Sequence, residues 1–443
     1  MYFYMIGCGG VGFCLLELIK KEKLFTENEF YIIEPKDIPD LEKIMKGYKY
    51  FHVKEYITKE NYTDLLQNLN SECFVVNLSV NVDSVMLIKF CVERKAHYID
   101  TSLEVYEDFM DVKPSEVKNY SEIMKNNLFH QNYLALKATK KDKTTRHISS
   151  GMNPGGISHF AKKALKEYAR QVKGMSFTKK TWFGDYAKLA HQLGLTEIQV
   201  VECDTQKLKV KSNPELFVNT WSSIGFQEEA SDSVMLSLNA EAKKNIQKNY
   251  PDLNLIQPTE EKSNIYFLNV RGMNMKRKSI TLDYEGKPFE YEGMLIPHAE
   301  IITMSSFFEY KGVSPIISYI YKPCEEAMRG LEFFKNNNYN NLKYEKVVRR
   351  EDIQSGYDSI GALLHFKNGD KFGGWTVCGL EDVKKHKLLS GPTTLQVACY
   401  LLPCILYTLK FKKRGTLNAE QVPHEYIFNF ANKYLGKIYF RKL

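Results

Sequence analysis

The sequence predicts an α/β protein: an N-terminal parallel sheet, then a mixed α+β region, then C-terminal helices that return to the first sheet. Three observations predict it. A glycine-rich turn lies directly between a strand-like and a helix-like run, and short apolar runs alternate with amphipathic stretches over roughly the first 100 residues. After about residue 149 that alternation gives way to a strand-rich region. At 443 residues the chain exceeds one small core, and the expected division is 1–145, 146–345 and 346–443.

Taken in order, the apolar run 1–6 leads straight into Gly7-Cys8-Gly9-Gly10-Val11-Gly12 and then Phe13-Cys14-Leu15-Leu16. A strand, a G-x-G-x-x-G turn and a helix in immediate succession form the first unit of a Rossmann-type dinucleotide site. Gly7 allows the tight turn, Gly9 lets the backbone approach a pyrophosphate, and Gly12 lets helix and strand pack closely. Residues 30–33 read as the next strand, and Glu34 at its end stands about 20 residues beyond the glycines, where a carboxylate binds both ribose hydroxyls. That carboxylate repels a 2′-phosphate, so NAD is expected over NADP, while Lys36 nearby opposes the preference. The rhythm continues with a strand at 74–78, a helix at Ser84–Arg94 and a strand at His97–Asp100. The Lys- and Asn-rich stretch to about Lys143 is expected to carry helices leaving the sheet.

The turn Ser150-Gly151-Met152-Asn153-Pro154-Gly155-Gly156 precedes Ile157, Phe160, Ala161, Ala164, Leu165 and Tyr168, which share one face of a helix. It therefore delivers Asn153 to a helix start. Residues 197–201 alternate as a strand and end in Glu202-Cys203-Asp204; 266–270 and the stretches around Ile280 and Leu363 also read as strands. Gly391-Pro392-Thr393-Thr394 opens a long apolar helix suited to covering the nucleotide domain.

Composition excludes some classes of function. The net charge of +8 comes from 61 basic and 53 acidic residues spread along the chain, without the basic stripe of a nucleic-acid binder. The nine cysteines form no C-x-x-C pair, which fits a reducing, cytoplasmic location. The longest apolar stretch, 397–409, is short for a membrane span and carries Pro403, and the opening residues read as a strand rather than a leader. The ten histidines show no H-E-x-x-H, so no metal is expected.

The candidate chemistry is acidic. Glu202, Asp204, Glu228, Glu229, Asp232 and Glu300 sit at the ends of apolar runs, and Glu104 follows the strand ending at Asp100. Carboxylates gathered beside a nicotinamide suit a cationic substrate, since burying them unpaired is costly. Trp221, eight positions before Glu229, can hold an ammonium or iminium with about 2 kcal/mol when desolvated, and His298 can shuttle a proton.

The ordered set 150–155, 201–206, 219–222 with Glu229, and Pro297-His298-Ala299-Glu300 resembles bacterial-type homospermidine synthases, relatives of saccharopine dehydrogenases. So do 319–324, 356–361 and 393–397. The resemblance implies NAD-dependent aminobutyl transfer, in which two putrescines give homospermidine and ammonia with no net redox change. It also implies a homodimer, and leaves open whether spermidine or diaminopropane enters as a further amine. It places Glu104, Asn153 and Glu202 at the amine-binding end with Asp358. Trp221 becomes the cation–π face and Glu229 the acid or base, with His298 and Glu300 as walls. Gly7, Gly9, Gly10, Val11, Gly12, Glu34, Thr101 and Asn153 would hold NAD. One stretch departs: where the family carries Trp-Gly-Thr-His-Glu, this chain has Met235-Leu236-Ser237-Leu238-Asn239-Ala240-Glu241, which leaves amine preference open. Two other readings are a net-redox dehydrogenase of the saccharopine or carboxyspermidine type, whose carboxylate-bearing substrates call for arginine clamps, and a regulator that binds NAD without turnover.

Overall fold

The computed structural model describes residues 1–80, 82–105, 135, 143–177, 185–257 and 264–443. Its first sheet has seven strands, all parallel, in the order Gly415–Leu417, Thr145–His147, His97–Asp100, Cys73–Asn77, Tyr2–Ile6, Glu29–Ile33 and Lys49–Val53. Strand order reverses beside Tyr2–Ile6, so the crevice at the carboxyl end of that strand is the topological switch point, where α/β sheets take ligands. The glycine turn leaves the sheet there. The helix Gly10–Lys21 follows directly, with Gly9 at its N-cap.

The second sheet is mixed. Its main path runs Leu255–Ile256, Ile265–Arg271, Ser233–Ser237, Ile316–Lys322, Leu195–Asp204, Tyr357–Phe366, Lys371–Gly379, Lys437–Lys442. Only the pairing of Ile316–Lys322 with Leu195–Asp204 is parallel. The hairpin of Lys276–Leu282 with Pro288–Leu295 joins at Ile316–Lys322. The amphipathic helix Gly156–Gln171 packs on Tyr357–Phe366 and Lys371–Gly379, burying the Ile157, Phe160, Ala164 and Tyr168 stripe. One continuous hydrophobic cluster, including Phe3, Phe160 and Leu401, links the two sheets.

The α/β class and the returning C-terminal helix match the expectation. Residues 346–443 divide between the sheets, since Gly415–Leu417 joins the first and three longer strands join the second. The helix Pro392–Lys410 packs against Gly10–Lys21. It is long and apolar enough to cross a membrane, but it is largely buried inside the fold. The helix runs through Pro403. Proline removes one helical N–H, and the apolar surroundings of Leu401, Leu402 and Ile405 hold the helix together across it. The helices expected before Lys143 fall on residues outside the described ones.

Candidate active site

Two connected cavities define the site. A groove of about 600 Å³ runs along the glycine turn and past Glu34. A second cavity of about 250 Å³ lies beyond it, and Val11, Leu78, Ser79, Val80, Trp221 and Ser222 line both. Trp221 thus stands at the junction.

The groove is built to take a dinucleotide. Gly7 has φ +82°, and a Cβ there would lie 2.8 Å from Ser79 N on the neighbouring strand's exit, so only glycine makes the turn. Gly12 packs on the Gly7 carbonyl at 3.0 Å from an added Cβ, whereas a Cβ on Gly9 would meet no protein atom and project into open space. That open cradle at a helix N-terminus fits a pyrophosphate. Glu34 accepts from the backbone N–H groups of Cys8 at 2.9 Å and Lys36 at 3.1 Å. Both bonds fix its carboxylate at the strand end where a ribose binds. Gly10 has a different role: an added Cβ would lie 2.9 Å from Val347 Cγ1 and 3.0 Å from Thr394 Cγ2, so its smallness admits the C-terminal segment to the groove wall.

The second cavity is acidic. Glu104, Glu202, Glu228, Glu229 and Asp232 line it with His298, and no Lys or Arg is among its described lining residues. Glu202 is buried at the pairing of Leu195–Asp204 with Ile316–Lys322, which brings Tyr319 and Tyr321 alongside. Its Oε2 accepts from Asn153 Nδ2 at 2.6 Å and from the Tyr319 hydroxyl. Burial raises its pKa to about 7, against the pull of those two hydrogen bonds and with the charges of Asp204 and Glu229 adding to the rise. Asp204 is raised to about 6 by burial, restrained by hydrogen bonds from Gln206 and Thr220. Asp358, opposite Asp204 across the antiparallel pair, is pushed up by burial and by the charges of Glu202 and Asp204. The charge of Asp204 thus raises Glu202, and both raise Asp358, on top of the effect of burial on each.

A second group closes the cavity's other wall. His298 contacts Glu300 through Nδ1, and its Nε2 lies 3.5 Å from Glu229 Oε1. Burial opposes a charge on the imidazole, but Glu300 and Glu229 overcome it and raise its pKa to about 10. His298 is therefore a standing cation between two carboxylates at neutral pH. Trp221 donates Nε1–H to the Tyr321 hydroxyl at 2.9 Å, and its ring lies against the first turn of helix Ser223–Ser231, 3.1 Å from where a Gly225 Cβ would sit.

The structure brings Trp221, Glu229, Glu202, His298, Glu104 and Asn153 together around one cavity. Gly7, Gly9, Gly10, Val11, Gly12 and Glu34 line the groove. Thr101, expected on the cofactor, and Asn153, expected on both cofactor and substrate, line the acidic cavity next to the junction at Trp221. Asp358 and Glu300, expected on the substrate, each have 1% exposure and stand behind the wall. Asp358 accepts from Thr393 Oγ1 at 3.0 Å, and Thr393 lines the cavity; Glu300 reaches it through His298. None of residues 235–241, where the chain departs from the family, lines either cavity; they form the buried strand Ser233–Ser237 and the start of helix Ala240–Asn249. Sequence reasoning gave no role to Tyr319, Thr393, Val347 or Arg349. The Tyr319 and Tyr321 pair, two apart on a strand, was the available signal, because alternation puts both on one face.

The chain has relatives of known identity in both sequence and fold. Residues 3–147 match the saccharopine dehydrogenase NADP binding domain family. A homospermidine synthase from Blastochloris viridis is 27% identical over 98% of this chain and 89% of its own length. One from Mesorhizobium japonicum is 27% identical over 98% and 88%. In fold, the crystal structure of the homospermidine synthase of Legionella pneumophila in complex with NAD superposes with a TM-score of 0.83, at 23% identity, over 100% of this chain and 91% of that one. Apo saccharopine dehydrogenase (L-Glu forming) from Saccharomyces cerevisiae superposes at 0.52 with 10% identity, over 100% and 99%. The chain thus resembles the homospermidine synthases in sequence along nearly all its length and in fold along the whole of it.

Proposed function

We propose that the protein is an NAD-dependent homospermidine synthase, joining two putrescines into homospermidine with release of ammonia. The observation that carries this is the acidic cavity, free of Lys and Arg among its described lining residues, opening directly from a dinucleotide groove at Trp221. Gly7, Gly9, Gly12 and Glu34 would hold NAD, which when bound takes a hydride from the amine-bearing carbon and later returns it.

The protein's own groups supply the rest. Putrescine is a dication, and hydride cannot leave a carbon beside a full positive charge, so one nitrogen must lose its proton. Glu202 is the base for that step, because its pKa of about 7 lets it take and give a proton near neutrality. Glu104 holds the remote ammonium, and so does Glu229, which gives up the acid or base role expected of it because its carboxylate is engaged by His298. His298 stays cationic and fixes Glu229, so the shuttle role expected for it passes to Glu202. Trp221 faces the iminium charge that develops, stabilising it more than the starting amine. The second putrescine would add to the imine carbon and ammonia would leave, so that return of the hydride would give the secondary amine. Atoms balance: two diamines give one triamine and one ammonia. All nine cysteines are free and buried, which supports a reducing cytoplasm; a homodimer completes the reading.

Incubation with labelled putrescine and substoichiometric NAD tests it. Homospermidine and ammonia in equal amounts, without accumulating NADH, are expected. NADH formed in step with an oxidised product would establish the net-redox dehydrogenase instead, a reading opposed by the absence of arginine among the described lining residues. NAD binding with no product of either kind would leave the regulator.

A further inference from the structure

We propose that Glu345 sets the choice between NAD and NADP, by holding the Lys36 ammonium in an ion pair on the groove wall and so withholding it from a 2′-phosphate. The inference rests on the dinucleotide reading given above.

Glu34 alone does not decide the matter. Its carboxylate is positioned for the ribose hydroxyls, but Lys36 follows two residues later on the same wall, with 65% of its side chain exposed. A free ammonium there would attract the two negative charges of a 2′-phosphate and offset the repulsion from Glu34. Glu345 removes that opportunity. Its Oε1 lies 3.1 Å from Lys36 Nζ, across 309 residues of sequence.

The placement follows from strand geometry. Tyr344–Val347 pairs in parallel with Leu216–Asn219, directly before the loop that carries Trp221. Alternation puts Glu345 and Val347 on one face and Lys346 on the other. Val347 packs where a Gly10 Cβ would sit, Glu345 lines the groove, and Lys346 turns away to Asp352 at 2.8 Å. The groove's other lining cation is engaged as well. Arg349 donates to Asp40 Oδ2 at 3.2 Å and to the Pro39 carbonyl at 3.3 Å, and its guanidinium lies 4.2 Å from the Phe13 ring centroid. Each described cation lining the groove therefore already has a carboxylate partner. An ion pair this exposed adds little to folding, so its effect is read in ligand choice.

The test is the affinity of the purified full chain, freed of bound nucleotide, for NAD and for NADP by calorimetric titration. Glu345→Gln is expected to raise NADP affinity about tenfold while NAD affinity stays within about twofold. Adding Lys36→Ala to Glu345→Gln should cancel the gain, because the freed ammonium is then absent. An unchanged NADP-to-NAD ratio in Glu345→Gln overturns the inference, as does a parallel loss of both affinities, which would make the strand a clasp. Wild-type protein that binds neither nucleotide would overturn the functional reading itself, whereas NAD binding with an unaltered ratio overturns only the role of Glu345.

Discussion

Trp221 and Tyr319 show how single side chains set the chemistry. The indole is held by its hydrogen bond to Tyr321 and by its contact with the Gly225 turn, so its position does not depend on ligand. Trp221→Ala should lower synthesis by about 30-fold or more, the equivalent of losing about 2 kcal/mol of desolvated cation–π stabilisation, while NAD affinity changes little. Loss of both together would place Trp221 on the cofactor instead. Tyr319→Phe probes Glu202. The Tyr319 hydroxyl stabilises the ionised carboxylate, so its removal lets burial raise the pKa further. The acid limb of the kcat/KM profile should then move up by about one pH unit, with activity at pH 7 reduced and activity at pH 9 retained. An unmoved limb would mean that Glu202 is not the base. The identities of Glu202, Trp221, Glu229 and His298 were legible in the sequence, because each sits at the end of an apolar run or in an ordered motif. The partnership of Tyr319 with Glu202 was not, since it depends on pairing two strands over 100 residues apart.

At the level of elements, neighbouring glycines in one turn carry separate duties. A Cβ on Gly9 meets nothing in the protein, while one on Gly10 runs into Val347 and Thr394. Gly9→Ala should therefore leave the melting temperature of the nucleotide-free protein nearly unchanged and weaken NAD about tenfold or more. Gly10→Ala should cost about 1–3 kcal/mol through overpacking against a stiff β-branched neighbour, seen as a Tm lowered by a few degrees. Calorimetry and NAD titration of both variants check the pair, and equal effects in both would contradict the division of labour. The same contrast explains what sequence reading could reach. The glycine turn, the helix Ser84–Arg94 and the strand His97–Asp100 were legible because their periodicity is local. The edge strand Lys49–Val53 and the three-residue strands Thr145–His147 and Gly415–Leu417 were not. They are too short or too polar to show alternation, and what makes them strands is a neighbour elsewhere in the chain. Gly10's contact with the C-terminal segment was hidden for the same reason.

Across the whole molecule, the buried acids link folding, pH and substrate. A carboxyl whose folded pKa is raised above its unfolded value keeps its proton in the fold after the unfolded chain has lost it, so stability falls as pH rises between the two values. Glu202, raised to about 7, contributes to that fall up to neutrality, and Asp100, raised to about 8, through the next unit. His298, raised to about 10, adds in the same direction, since its favourable charge is fully present below about 6.5 and is lost as pH climbs toward 10. The buried neutral histidines His147 and His424 act oppositely, but only below about 6.5, where the unfolded chain would protonate them. Lys162, lowered to about 8, opposes only above that value. Between pH 6.5 and 8 the cited shifts therefore point one way, and the Tm of the ligand-free protein should decline across that window at constant ionic strength. A dication bound beside Glu202 favours its ionised form, so putrescine should raise the Tm more at pH 8 than at pH 6.5 and flatten the decline. Glu202→Gln should reduce both the slope and the putrescine effect. A decline that putrescine leaves unaltered would show that the cavity does not hold the diamine, whatever the fold around it.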